Sequence, residues 1–340
     1  MIRIGSKIRL IFIFSLLGPA LLFLFNNCAP GFNTTVPVDS PAPSTWTNQL
    51  VAIGPVSTQS NAIMVDGNDN YFIAGSTAGV IGESKTHASS DVFITKFNSA
   101  GVKQWSRQLG AVDGYTDTRT IVKDSLENVI VVGGTQGSLD GNIKVSGFTQ
   151  SEIFVTKYDP SGTKLWTSQL GVPISGSVNV YSAAVDSANN IFVTGSTNGS
   201  LDGNTLVGTN DLFVTKFNSS GVKQWTRQMG IAAKSTIATG VGVDSVDNIY
   251  VAGFTNGNLD GNTLTGTYDA FLVKYNSAGV KQWTQQAGVA AKTIQVNDLK
   301  IDGSDGIYLT GATSGGFGGN TQAGTFDMFL VKYDTSGTVS

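Results

Sequence analysis

Tyr181-Ser182-Ala183-Ala184-Val185-Asp186-Ser187-Ala188-Asn189-Asn190-Ile191-Phe192-Val193-Thr194-Gly195, followed after a loop by Leu212-Phe213-Val214-Thr215-Lys216-Phe217-Asn218-Ser219-Ser220-Gly221-Val222-Lys223-Gln224-Trp225, is the stretch that decides the fold of this 340-residue chain. Runs rich in β-branched and aromatic residues read as strands, and the Asn, Asp, Ser and Gly between them read as tight turns. The stretch therefore contains a strand ending at Val185, a turn over 186–190, and a second strand over 191–195. A longer loop over 196–210 holds Leu201-Asp202-Gly203-Asn204. A third strand over 212–217, a turn over 218–221 and a fourth strand over 222–229 complete the unit.

The unit recurs. Trp46, Trp105, Trp166, Trp225 and Trp283 are all the tryptophans of the chain, and they are spaced 58 to 61 residues apart. A fixed period of this size signals a repeat architecture. Four antiparallel strands per repeat predict the blade of a propeller. The expected fold is all-β: a five-bladed β-propeller of four-stranded antiparallel blades over residues 46–340. The last repeat reads to Tyr333-Asp334-Thr335-Ser336-Gly337 without a fourth strand, and the first begins with a spare one, Trp46-Thr47-Asn48-Gln49-Leu50. The expectation is that this N-terminal strand completes the last blade, because open sheet edges are a liability. The competing architectures are an open array and part of a larger ring.

Composition fits this reading. Apolar residues make up 40% of the chain and charged residues 13%, with 42 glycines. That mix suits short strands and tight turns rather than long solvated helices. The net charge of −3 offers no basic footprint, which argues against nucleic acid as a partner. The lone cysteine, Cys28, excludes an intramolecular disulfide and a CxxC site.

Residues 1–27 read as an address rather than as fold. Arg3, Lys7 and Arg9 form a basic head, Leu10 to Phe25 is an apolar run, and Phe25-Asn26-Asn27-Cys28 ends it. The stretch resembles a bacterial lipoprotein signal peptide. Phe25 and Asn27 stand where the usual box has Leu and Gly or Ala, and the looser boxes of spirochaete lipoproteins accommodate them. The resemblance implies an acylated Cys28 as mature N-terminus, and several acyl chains hold a protein to a bilayer far better than one. Residues 28–45 then form a Pro/Thr-rich tether whose prolines keep it extended. The expected location is the bacterial cell envelope, anchored in the outer membrane on its surface or periplasmic face.

The wording of the repeat adds a second resemblance. Val-Asp-Ser-x-x-Asn-Ile-[Tyr/Phe]-Val-x-Gly-x-Thr, then Gly-Thr-x-Asp-x-Phe-[Leu/Val]-[Val/Thr]-Lys-[Tyr/Phe]-Asn-Ser-x-Gly-Val-Lys-Gln-Trp, resembles the bacterial β-propeller repeat (SBBP) family over residues 46–340. Repeats 1 and 5 depart in the long loop and repeat 2 in its first strand. The family is defined by its repeat and has no catalytic motif, so the resemblance strengthens the fold and leaves the activity open.

Residues present in every repeat read as parts of the fold. Asp66, Asp124, Asp186, Asp244 and Asp302 open the first hairpin turn, where a carboxylate bonds backbone NH groups two residues on. The alternating oxygens of Asp66-Gly67-Asn68-Asp69-Asn70 leave room for a calcium reading, but the 12-residue loop with its terminal Glu is absent. Lys96, Lys157, Lys216, Lys274 and Lys332 are expected to lie over apolar neighbours and reach an acid in their own or the next blade. The tryptophans are expected in the core or between blades. Asp140, Asp202 and Asp260 share the phrase Leu-Asp-Gly-Asn on the loop face. They are either exposed turns or part of a multivalent ligand surface.

A localised function belongs where repeats differ. Repeat 2 differs most: its connecting loop, residues 112–119, holds Asp113, Tyr115, Asp117 and Arg119, and Lys123 replaces a Val or Ile. In repeat 5, Asp298 and Lys300 replace small or apolar residues on the innermost strand. Arg119, Lys123, Asp298 and Lys300 are candidates for an asymmetric channel mouth, or else variation on a solvated surface. His87 sits alone in the first long loop. Glycosidases use paired carboxylates, whereas Asp298 is a single unusual acid with no evident partner. No nucleophile motif accompanies His87, and no phosphate loop is present. The sequence thus points to a non-catalytic, monomeric binding scaffold for protein or glycan, without cofactor or metal. A periplasmic envelope-assembly scaffold is the alternative, and a glycoside hydrolase a more distant one.

Overall fold

The computed structural model describes residues 47–50, 52–53, 56–82, 90–111, 113–173 and 175–339. The expected signal peptide 1–27, the acyl site Cys28, the tether 28–45, Trp46 and His87 lie outside them. The described part is all-β, with nineteen strands in five sheets that follow one another along the chain.

The first sheet holds β1 (Thr58–Val65), β2 (Tyr71–Thr77), β3 (Asp91–Phe97) and β4 (Lys103–Leu109). The second holds β5 (Thr116–Lys123), β6 (Val129–Thr135), β7 (Glu152–Tyr158) and β8 (Lys164–Leu170). The third holds β9 (Val178–Val185), β10 (Ile191–Thr197), β11 (Asp211–Phe217) and β12 (Lys223–Met229). The fourth holds β13 (Thr236–Val243), β14 (Ile249–Thr255), β15 (Asp269–Tyr275) and β16 (Lys281–Ala287). The fifth has three strands, β17 (Ile294–Ile301), β18 (Ile307–Thr313) and β19 (Asp327–Tyr333). Within each sheet the strands pair antiparallel with their sequence neighbours, and isolated parallel bridges, Asn210 to Ser235 and Tyr268 to Thr293, join the third sheet to the fourth and the fourth to the fifth.

Each hairpin has a local chemical cause. Asp66 Oδ1 accepts the amides of Asn68 and Asn70 at 2.9 Å, and Asp124, Asp186, Asp244 and Asp302 do the same in their turns. These are the turns the sequence predicts. In four of the five sheets the third-strand lysine reaches that turn carboxylate: Lys157 to Asp124 at 2.6 Å, Lys216 to Asp186 at 3.3 Å, Lys332 to Asp302 at 3.7 Å and Lys96 to Asp66 at 3.8 Å. Lys96, Lys216, Lys274 and Lys332 also lie over the aromatic ring of the neighbouring second strand. The acids that open the third strands do something else. Asp211 accepts the amides of Val207 and Gly208 and the side-chain amide of Gln228, and Asp269 is bonded in the same way. They pin the long loop onto the sheet, which satisfies a fully buried charge.

Sheet packs on sheet through a repeated set of contacts. In the first four sheets the apolar face of the third strand meets the first strand of the next sheet, as Leu212 and Val214 meet Ala238 and Val241. Each fully buried side chain in such a face contributes roughly 1.5–3 kcal/mol. Trp105 covers Gly162 of the second sheet and donates to Pro160 O at 3.3 Å, and Trp166 does the same to Gly221 and Ser219 O at 3.2 Å. Gly221 has φ +80°, and a Cβ there would lie 2.6 Å from the Trp166 ring, so both conformation and space demand glycine. On the hairpin side, a left-handed turn residue accepts an amide from the preceding sheet: Gly67 to Glu127, Ser125 to Asn189, Ser187 to Asp247 and Ser245 to Asp305, at 2.8–3.0 Å.

The expected N-terminal strand is different in the structure. Residues 47–50 are described and carry no strand, and the fifth sheet gains only a bridge between Tyr333 and Val339. Asn48 instead donates to Gly101 O at 2.6 Å. Arg107 to Gly162 O and Arg227 to Gly279 O are the same contact at other interfaces. Asn48 therefore stands on the first sheet where the outer strand of a preceding sheet would stand. Among the described residues, 47–50 make no ladder bonds to β19.

Candidate functional site

Every first strand carries a bulge. The register skips Asn61 in β1, Arg119 in β5, Tyr181 in β9, Thr239 in β13 and Asn297 in β17. A bulge leaves one residue out of the ladder and re-aims its side chain. The glycine of the second strand makes this possible: a Cβ on Gly133 would lie 1.9 Å from Asp117 O, and on Gly75 2.0 Å from Gln59 O. The bulge is thus built into the repeat, while the residue on it changes from sheet to sheet. Arg119 is the charged one.

Arg119 is not alone. Its guanidinium meets Asp117 Oδ2 at 2.9 Å. Asp117 Oδ1 accepts Asn61 Nδ2 at 3.0 Å and Ser76 Oγ at 2.8 Å, both from the first sheet. Tyr115 lies close by, and burial together with the Asp117 carboxylate pushes its phenol above the ordinary value. Asp117 is 7% exposed, while the Arg119 side chain is 53% exposed and Tyr115 40%. One buried carboxylate thus fixes the outward-facing guanidinium, and Tyr115 faces outward beside it. They line a cleft of about 740 Å³ between the first and second sheets, whose wall includes Ser57, Gln59, Asn61 and Ser90. The cleft sits at the end of the sheets where the long loops and the sheet-to-sheet connections run.

The structure scatters the other sequence candidates. Lys123 lies on the opposite end of β5 and pairs with Glu127 at 2.7 Å. Glu127 is the residue that accepts Gly67, so Lys123 serves the contact between sheets. Asp298 accepts Leu299 N at 2.8 Å and pairs with Lys300 at 3.0 Å, within β17. Asp140, Asp202 and Asp260 are each ion-paired to the lysine that opens the fourth strand of their own sheet, Lys164, Lys223 and Lys281. In Asp140 and Asp260 burial pushes the carboxyl up, but the lysine and a neighbouring threonine together hold it below the usual aspartate value. Sequence reasoning noted Tyr115 and Asp117 but gave them no role, and it missed the bulge. The signal was present as a glycine inside each second strand, which marks a bulge or a close backbone approach. Among the described residues no group of three or more His, Cys, Asp or Glu is placed to hold a metal ion.

Repeated four-stranded antiparallel sheets packed face to face, with variable residues at one end, define a β-propeller. The repeats can be assigned more closely: residues 165–202, 224–260 and 282–318 match the family model described as SBBP, beta-propeller repeat. An uncharacterized WD repeat-containing protein, L264, of Acanthamoeba polyphaga mimivirus is 27% identical, covering 61% of this chain and 19% of that protein. The regulatory protein FlaEY of Caulobacter vibrioides is 27% identical, covering 66% of this chain and 26% of that protein. The chain thus spans about a fifth to a quarter of the length of these relatives. Among solved structures, a PL25 ulvan lyase superposes with a TM-score of 0.48 at 12% identity, covering 85% of this chain and 73% of that one. A protein of unknown function from Bacteroides caccae superposes with a TM-score of 0.43 at 12% identity, covering 83% and 80%.

Proposed function

We propose that this chain is a lipid-anchored protein of the bacterial cell envelope, a non-catalytic scaffold that binds a protein or glycan at the loop face of a five-bladed propeller. Acyl chains on Cys28 hold it to the outer membrane in this reading. One observation carries the binding role. The repeated carboxylates and lysines are engaged in turns, loop anchors and ion pairs, whereas Asp117, Arg119 and Tyr115 form an asymmetric polar cleft that no other sheet reproduces.

Closure of the ring belongs to the same proposal. Met328 and Leu330 on β19 are 79% and 65% exposed, and Ile63 on β1 is 68% exposed. Their counterparts at the four inner contacts, such as Ala270 and Leu272 against Leu299, are buried together. Asp69 has the left-handed turn conformation of Glu127 and Asp305, and Gly303 stands where Ser245 does. The outer faces of the first and fifth sheets are therefore the two halves of the contact found between all other neighbours.

The test uses the full chain in its native envelope. Cys28→Ala is expected to move the protein from the membrane to the soluble fraction. The purified lipoprotein is expected to bind an envelope or host-surface fraction saturably, at least tenfold more weakly with Arg119→Ala. A membrane-bound Cys28→Ala variant overturns the anchor, and absence of saturable binding to every fraction overturns the scaffold.

A further inference from the structure

We infer that the ligand of the Asp117–Arg119 cleft is an uncharged saccharide, seated on the Tyr115 ring and hydrogen-bonded by the Arg119 guanidinium. This rests on the binding reading above and narrows it to one chemistry. The cleft wall is made of hydroxyl and amide side chains, Ser57, Gln59, Ser60, Asn61, Ser76 and Ser90, with few apolar groups. A protein anchor needs a desolvated apolar pocket for an aromatic or aliphatic side chain. A polyhydroxylated ring needs what is found here: many groups that both donate and accept.

Charge gives the second argument. Arg119 is the one cation among the described cleft residues, and Asp117 meets it at 2.9 Å. The pair leaves no net charge to hold a carboxylate or phosphate. What it leaves is a planar fork of N–H donors fixed in direction by a carboxylate that is itself held by Asn61 and Ser76. A prefixed donor costs little ordering entropy when a hydroxyl arrives. Tyr115 completes the site. Its ring is partly exposed and lines the same cleft as the fork. A phenol ring presents an apolar face, which suits the C–H face of a pyranose.

Comparison of the sheets gives the third argument. The positions equivalent to Asp117 are Gln59, Asn179, Ile237 and Gln295, and those equivalent to Arg119 are Asn61, Tyr181, Thr239 and Asn297. Uncharged hydrogen-bonding and aromatic groups thus occupy nearly all of these places. The single charged pair is neutral within itself.

The experiment is saturation-transfer NMR and calorimetry on the full-length protein with glucose, galactose and N-acetylglucosamine, with glucuronate as the charged probe. At least one neutral sugar is expected to bind and to lose at least tenfold in affinity with Tyr115→Ala and with Arg119→Ala. Lys300→Ala, an exposed change on β17, is expected to bind as wild type does. Unchanged sugar binding in both cleft variants overturns the inference. So does binding of glucuronate alone with loss on Arg119→Ala, although that outcome leaves the cleft as a binding site. Absence of any sugar binding, with Arg119-dependent binding to the envelope fraction intact, overturns the saccharide and leaves the scaffold standing.

Discussion

If the first and fifth sheets close on each other, Leu330 belongs to a core face despite its 65% exposure in the structure. Its counterpart Leu272 is 1% exposed and packs with Leu299 of the next sheet. Leu272→Ala should cost about 2–5 kcal/mol, the usual range for a buried leucine. An exposed leucine should cost no more than about 0.5 kcal/mol. The closure proposal predicts that Leu330→Ala falls in the first range. With a urea slope of about 3 kcal/mol per molar, that moves the unfolding midpoint by on the order of 1 M. Tryptophan fluorescence is the natural readout, because the indoles of Trp105, Trp166, Trp225 and Trp283 lie at the contacts between sheets. A double-mutant cycle makes the test specific. Ile63→Ala and Leu330→Ala should be coupled by about 0.5–3 kcal/mol if the residues touch. Additivity of the two changes, or a midpoint unmoved by Leu330→Ala while Leu272→Ala shifts it, would refute closure.

Two further predictions concern charge. Asp66 and Asp124 are pushed up by burial, but hydrogen bonds from Asn70 and Asn68, and from Lys157, Asn128 and Leu126, outweigh it and hold both below the ordinary 3.8. A group whose value is lowered by folding stabilises the fold fully above its unfolded value and loses that contribution as pH falls through the folded one. Thermal melts should therefore hold steady above about pH 5 and fall progressively below about pH 4; a flat profile down to pH 2.5 would contradict this. The lysine pairs should be unequal. Lys157 and Asp124 are 5% and 0% exposed, so Lys157→Ala strands a buried carboxylate and should cost about 3–5 kcal/mol. Lys300→Ala removes an exposed pair with Asp298 at 3.0 Å and should leave the melt near wild type; equal effects would show that burial is not what separates them.

The strands, hairpin turns and third-strand lysines were legible because each rests on a local cause: β-branched runs, an Asx turn, a charge with a long stem. Trp105 and Trp166 between sheets followed from their period. The bulge was not read, although Gly75, Gly133 and Gly195 announced it, because a single glycine in a strand has several readings until its neighbour's backbone is known. The candidate site was read only in part for the same reason. Arg119 was found by its difference from the other repeats. Its coupling to Asn61 and Ser76 crosses sheets more than 40 residues apart and has no local signature. Lys123, Asp298 and Lys300 differ just as visibly, yet each spends its charge on a partner within its own sheet.

The amide-to-turn contact has a bearing on how such a chain changes over time. Each sheet offers a backbone donor on one side, as Ser187 does, and a left-handed acceptor on the other, as Asn189 does. Both lie in the same five-residue turn. Duplicating one unit of the gene therefore copies a matched plug and socket in a single event, and the new sheet fits between its neighbours without any compensating substitution. Loss of a unit is equally silent at the joins. The number of units in such a protein can drift while every contact between them stays the same, and selection is left to act on the one residue per sheet that the bulge holds out.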